Sequence, residues 1–246
     1  MRVALMAGLV AILVAVADVA AQTSRGPRGY FDVTLVGAQP TGDFGLIVDE
    51  GWGVELGGRY ELEPTGLLSV RGSLGFINYG SETLQYCSVY TCRVGIDLDT
   101  RNDIFFVGVG PELAMQMGPM RPYARGSLGI GYFATTSGLS GSDDWMGNSY
   151  ANTNNFDDLV FQKRLGAGLG LRLSNGRRPV WLDIGADYHH NGIASYLKEG
   201  DIVDRLDGSI VTFPRRSDAN LWSFRLGVSI GLGGDGEQAG DDWYGR

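Results

Sequence analysis

The chain of 246 residues is poor in the residues that catalytic, metal-binding and nucleic-acid-binding proteins display. It has two cysteines, two histidines and eight prolines. Lys and Arg total 20 against 28 Asp and Glu, for a formal net charge of −8. With no Lys/Arg cluster to offset that balance, nucleic acid is a poor partner. Beyond the N-terminus no apolar run approaches 18 residues, which excludes a polytopic helical membrane protein. Disorder and collagen are excluded by an aromatic content of 11% and by the lack of a three-residue glycine period. What the chain has in excess is glycine: 39 residues, roughly twice the ordinary usage of about 7%.

The N-terminus reads as an export signal. Met1 and Arg2 precede an apolar run over 3–17, Asp18 ends it, and Val19 and Ala21 are small residues at −3 and −1 of a cleavage after Ala21. Residues 1–21 are therefore expected to be a signal peptide, and no cysteine follows that would make a lipoprotein. Export implies an oxidising compartment, where Cys87 and Cys92 in Cys-Ser-Val-Tyr-Thr-Cys are expected to form a disulfide closing a small loop. A metal site would need two further ligands, and no histidine lies near.

From Tyr30 onward strict alternation recurs. In 51–62, Trp52, Val54, Leu56, Tyr60 and Leu62 fall on one parity, and Gly51, Gly53, Glu55, Gly57, Arg59 and Glu61 on the other. Side chains alternate across a strand, so each such segment has one apolar face and one small or charged face. Eight segments are expected, near 30–38, 51–62, 67–80, 103–117, 121–136, 156–173, 179–190 and 219–232. Short turns with Pro-x-Gly or Asn-Gly chemistry alternate with long connections over 39–50, 81–102, 137–155 and 191–218.

The polar parity decides between folds. Its charged members are Asp32, Glu55, Arg59, Glu61, Arg71, Glu112, Arg125, Arg164, Arg172, Asp183, Asp187 and Arg225, six acids and six arginines amid glycine and serine. Such a balance suits ion pairs in a confined lumen, with small residues leaving room for long ones. The other parity carries Trp52, Tyr60, Phe76, Phe105, Tyr132, Phe161, Tyr188, Trp222 and Phe224, many near segment ends like the aromatic girdles of a barrel in lipid. A soluble sandwich or lipocalin-like barrel would instead expose the glycine and ion-pair face. The expected fold is all-β, an eight-stranded antiparallel up-and-down transmembrane barrel.

Over 30–232 the chain resembles the eight-stranded outer-membrane barrels of the OmpA/OmpX type. The most specific element is the last segment, Arg225-Leu226-Gly227-Val228-Ser229-Ile230-Gly231-Leu232, which is similar to that family's assembly signal through Arg225, Gly227, Ile230 and Leu232. It departs by lacking a terminal aromatic and by continuing as an acidic tail over 233–246. The resemblance implies a short periplasmic segment at 22–29, periplasmic turns and tail, and long extracellular loops. It also implies outer-membrane lipid and lipopolysaccharide as surroundings, with periplasmic chaperones and the barrel assembly machinery as partners in biogenesis. Asp207-Gly208 between two alternating runs signals a hairpin in loop four, so a ten-stranded count is an alternative.

No catalytic, metal or cofactor site emerges from the sequence. His189 and His190 end the seventh segment at the loop-side rim, the place of the histidine in lipid A deacylase barrels. That family's serine two residues on is absent: Asn191 and Gly192 stand there. Asp143-Asp144 and Asp157-Asp158 fit no calcium loop and read as solvated charges. The expected role is structural, or recognition and adhesion of an extracellular ligand through the loops. A rim hydrolase and a narrow channel are the alternatives.

Overall fold

The computed structural model describes residues 28–88, 91–141, 151–174, 178–198, 200–205, 207 and 209–233, without the side chains of 86–94, 141 and 204. The signal segment, most of 22–29 and of the tail, Asp143-Asp144 and the Cys87 and Cys92 side chains lie outside the described residues. In chain order the elements begin with β1 (Gly29–Pro40), α1 (Gly42–Gly45), β2 (Gly51–Glu61), β3 (Leu68–Ser88), β4 (Thr91–Ala114) and β5 (Met120–Gly141). They continue with β6 (Ala151–Ser174), β7 (Val180–His190), β8 (Ile193–Tyr196), β9 (Ile202–Asp204), β10 (Ile210–Thr212), β11 (Arg215–Asp218) and β12 (Leu221–Gly231).

Strands β1 to β7 pair in sequence, and β12 closes the ring between β7 and β1, every pairing antiparallel. Two small sheets, β8 with β11 and β9 with β10, stand apart from the ring. The Asp207 hairpin therefore adds no barrel strand, and the count is eight.

Cross-strand pairs fix the stagger. From Tyr30 the pairing runs to Arg59, Arg71 and Gly110, on through Ser127, Arg164, His189 and Leu221, and returns to β1 at Pro40, ten residues further along. Such stagger tilts the strands by roughly 40° and leaves an interior that side chains alone fill. Alternation then places one parity outside. Trp52, Leu74, Val109, Leu128, Leu165 and Phe224 are all more than half exposed, with Leu165 at 72%. Eight residues separate Tyr60 from Trp52 on β2; at about 3.3 Å each and that tilt, they span roughly 20 Å of axial height. Phe76, Phe105 and Tyr132 adjoin one another on three neighbouring strands, with centroids 6.3 and 6.5 Å apart, and Tyr188 meets Trp222 at 5.2 Å. These rings mark the loop-side edge of an apolar belt whose solvent is lipid.

Beyond that edge β3 to β6 continue as a protruding four-stranded wall, longer than the sequence pattern marks. A bulge between Asn78 and Gly80 shifts the parity of β3 there. Asn78 Nδ2 holds it by donating to Gly80 O, Asn102 O (both 3.2 Å) and Asp103 Oδ1 (2.8 Å).

Candidate functional site

The inward parity of the turn-side half is charged. Arg59 and Arg71 are direct cross-strand partners on β2 and β3, a repulsive pairing by itself. Glu112 on β4, fully buried, resolves it by accepting from Arg59 (3.3 Å), Arg71 (3.4 Å) and Arg121 (2.8 Å). Arg71 also pairs with Asp32, and Arg59 lies 3.7 Å from Glu61. A second group sits nearer the loops. Glu55 pairs with Arg125 (3.2 Å) and Arg164 (2.8 Å), Asp187 with Arg125 and with Arg225 (2.6 Å), and Asp183 with Arg225 (3.3 Å). Tyr123 joins them, donating to Asp183 and accepting from Arg225. Arg172 lies towards the turns with its guanidinium 4.6 Å from the Trp181 ring centroid.

The charged residues read from the sequence thus gather in two ionic lattices, with Arg172 beside Trp181 nearer the turns. Arg121 was missed: it sits beside a turn, where parity carries little weight. Gly227 lies inward on β12, where a Cβ would press on Thr34, while Ile230 and Leu232 are half-buried on the outward parity.

Above the ions comes a polar layer. His189 is 1% exposed; its Nε2 lies 2.9 Å from Ser223 Oγ and its Nδ1 3.4 Å from Gln162 Nε2. Gln162 donates to Asn191 Oδ1 at 2.7 Å. His190, on the opposite parity, is exposed. The two histidines therefore do not form one rim feature: the pleat sends one inward and one outward. The His189–Ser223 contact has the look of a nucleophile and base, and no sequence spacing reveals it. Ser223 is itself 1% exposed, however, so no substrate reaches its hydroxyl.

An apolar plug closes the loop end, and the sequence did not announce it. Ile77, Tyr79, Ile104, Phe106 and Phe133 point inward from the wall strands and pack with Val36, Tyr196 and Leu221. At their centre is Phe44 from the single turn α1, fully buried, edge-on to Tyr196 (4.8 Å), Tyr79 (5.7 Å) and Phe133 (6.2 Å). Loop four caps this plug. Tyr196 Oη lies 2.8 Å from Ser217 Oγ, Arg215 pairs with Asp201 at 3.0 Å, and Asp158 accepts from the Ser195 amide at 2.6 Å. Asp158 is thus a loop anchor and not the solvated charge that its sequence context suggests. Among the described residues no group of His, Cys, Asp and Glu could hold a metal ion.

No protein-family model and no curated protein sequence matches the chain. Solved structures do. Neisserial surface protein A is 11% identical at a TM-score of 0.52, over 82% of this chain and 96% of that one. The attachment invasion locus protein Ail of Yersinia pestis is 15% identical at a TM-score of 0.42, over 83% and 98%. At such identity the likeness concerns the fold alone, and Neisserial surface protein A carries it. Together with the closed ring and its apolar belt, it gives this chain the fold of the eight-stranded outer-membrane β-barrel proteins.

Proposed function

We propose that the protein is a non-enzymatic surface barrel of the outer membrane, displaying its loop end for recognition or adhesion. The observation that carries this is the filled lumen. Two ion lattices, a polar layer and an aromatic plug occupy it in turn, while the β3 to β6 wall and the described residues of loop four project beyond the belt. A filled lumen argues against conduction, and the burial of His189 and Ser223 argues against the rim hydrolase.

On this reading the turns and tail are periplasmic, residues 1–21 are removed on export, and the barrel assembly machinery reads the β12 end. The belt contacts lipid and lipopolysaccharide. The Cys87–Cys92 bridge would staple the tip of the β3–β4 hairpin, where the strands join at Ser88 and Thr91. Extraction and gel migration provide the test. The protein should require detergent and run faster unheated than boiled; recovery as a soluble protein would sink the proposal. Protease added to intact cells should cut loops and spare turns. Lipid A mass should be unchanged by overexpression, with or without His189→Ala.

A further inference from the structure

The protruding wall and loop four enclose space that the plug does not use. On the wall's concave face a cavity of 220 Å³ opens between β3–β6 and loop four, and an adjoining one of 440 Å³ opens towards α1. The two share Glu82, Asn102, Lys198 and Gly200, so they form one cleft with two lobes. It exists because the Asn78 bulge turns Glu82 and Leu84 to the inside, beyond the point where the barrel is filled.

The lining is unusual for this molecule. In the lumen the charged acids pair with arginine; in the cleft the polar groups are only half engaged. Thr100 and Ser137 hydroxyls lie 2.8 Å apart, Asn155 donates to Ser137 at 2.7 Å, and Thr135 donates to Asn102 Oδ1 at 2.7 Å. Those bonds fix the side chains in place yet leave amide hydrogens on Asn102 and Asn155 and lone pairs on the hydroxyls. Neither the Glu82 carboxylate nor the Lys198 ammonium has an ion-pair partner among the described residues, although both face the same cleft. Leu84, Leu98, Ile202 and Ile210 supply an apolar flank. Pre-positioned amides and hydroxyls, a charged group of each sign and an aliphatic wall suit a ligand dense in hydroxyls with one apolar face.

We infer that this cleft binds a short oligosaccharide, its hydroxyls taken by Asn102, Thr100, Ser137 and Asn155 and its substituents by Glu82 and Lys198. The inference rests on the reading of the loop end as a recognition surface and names its ligand class. Asp49 lines the second lobe alongside Glu82, so among the described lining residues acids outnumber Lys198. Neutral and amino-substituted saccharides should therefore be preferred over uronates.

The experiment uses the full-length folded protein in nanodiscs free of lipopolysaccharide. Calorimetric titration compares maltotetraose, a tetramer of glucosamine and tetragalacturonate. The expected result is saturable binding of one or both of the first two, with tetragalacturonate at least tenfold weaker. Thr100→Val and Asn155→Leu should each weaken binding fivefold or more while the heat-modifiable band is kept, which separates lost recognition from lost folding. Repeating the titration with lipopolysaccharide in the discs distinguishes a free saccharide from a membrane-borne one: competition assigns the cleft to the neighbouring lipid's sugars, and no competition to a ligand from outside. Failure of all three probes to bind, or binding unchanged in both variants, overturns the inference. Cell-surface protease accessibility of loop four, measured separately, decides the underlying reading.

Discussion

At the scale of single residues, the lumen depends on carboxylates that serve several arginines at once. Glu112 takes three guanidinium groups and is completely buried, so its loss takes a partner from Arg59, Arg71 and Arg121 at once and leaves only Asp32 beside Arg71 and Glu61 near Arg59. Glu112→Ala should cost about 3–5 kcal/mol, because one-sided removal of a buried pair leaves charge uncompensated. Urea unfolding in detergent micelles would measure it, and a loss under 1 kcal/mol would show that water readily enters the lumen. Glycines are equally specific. A Cβ at Gly57 would overlap the Asp32 carboxylate that pairs with Arg71, and one at Gly166 the Asp187 carboxylate that pairs with Arg125. Gly57→Ala and Gly166→Ala should each lower folded yield in refolding into micelles. Glycine at Gly72, where the outward space is open, should tolerate alanine.

Among the elements, α1 is the smallest and among the most consequential. Its four residues cannot hold a helix alone, and burial of Phe44 among Tyr79, Phe133 and Tyr196 anchors them. Phe44→Ala should release loop one for about 3 kcal/mol, seen as new protease cleavage near 41–48, while the barrel keeps its heat-modifiable migration. Loop four has a pH limit of its own. Burial pushes the Tyr196 phenol above the ordinary tyrosine value. The folded cap binds that proton more tightly than the open loop does, so its stabilisation is whole below about pH 10 and declines as pH rises further. Proteolysis of 193–218 should accelerate only as pH rises above about 10 in the wild type, and Tyr196→Phe should flatten that dependence.

For the whole molecule, filling decides what passes. Ion lattice, polar layer and plug succeed one another along the axis, so planar bilayers holding the protein should show no stable, large single-channel current. Much of this was legible beforehand. Period-two alternation found eight strands, and sorting Asp32, Glu55, Arg71, Arg125 and Arg225 by parity named the residues that meet. What escaped has physical reasons. Phe44 lies in a connection without periodicity, so nothing in its neighbourhood marks it as core. Ser223 comes to His189 across 34 positions of chain, through the register of β12 on β7. In the wall beyond the membrane Leu84, Leu98 and Leu139 line up across neighbouring strands amid polar residues, too sparse an apolar row for a lipid-based pattern to follow past the belt.

Parity is a local property, set by the pleat, and the sequence alone therefore determined the lipid face, the ionic face and the number of strands that carry them. Depth and stagger are collective properties. Only closure of the ring with its ten-residue offset decided that Glu112 would sit among three arginines, that His189 would be sealed beneath an aromatic plug, and that a polar cleft would remain open above it.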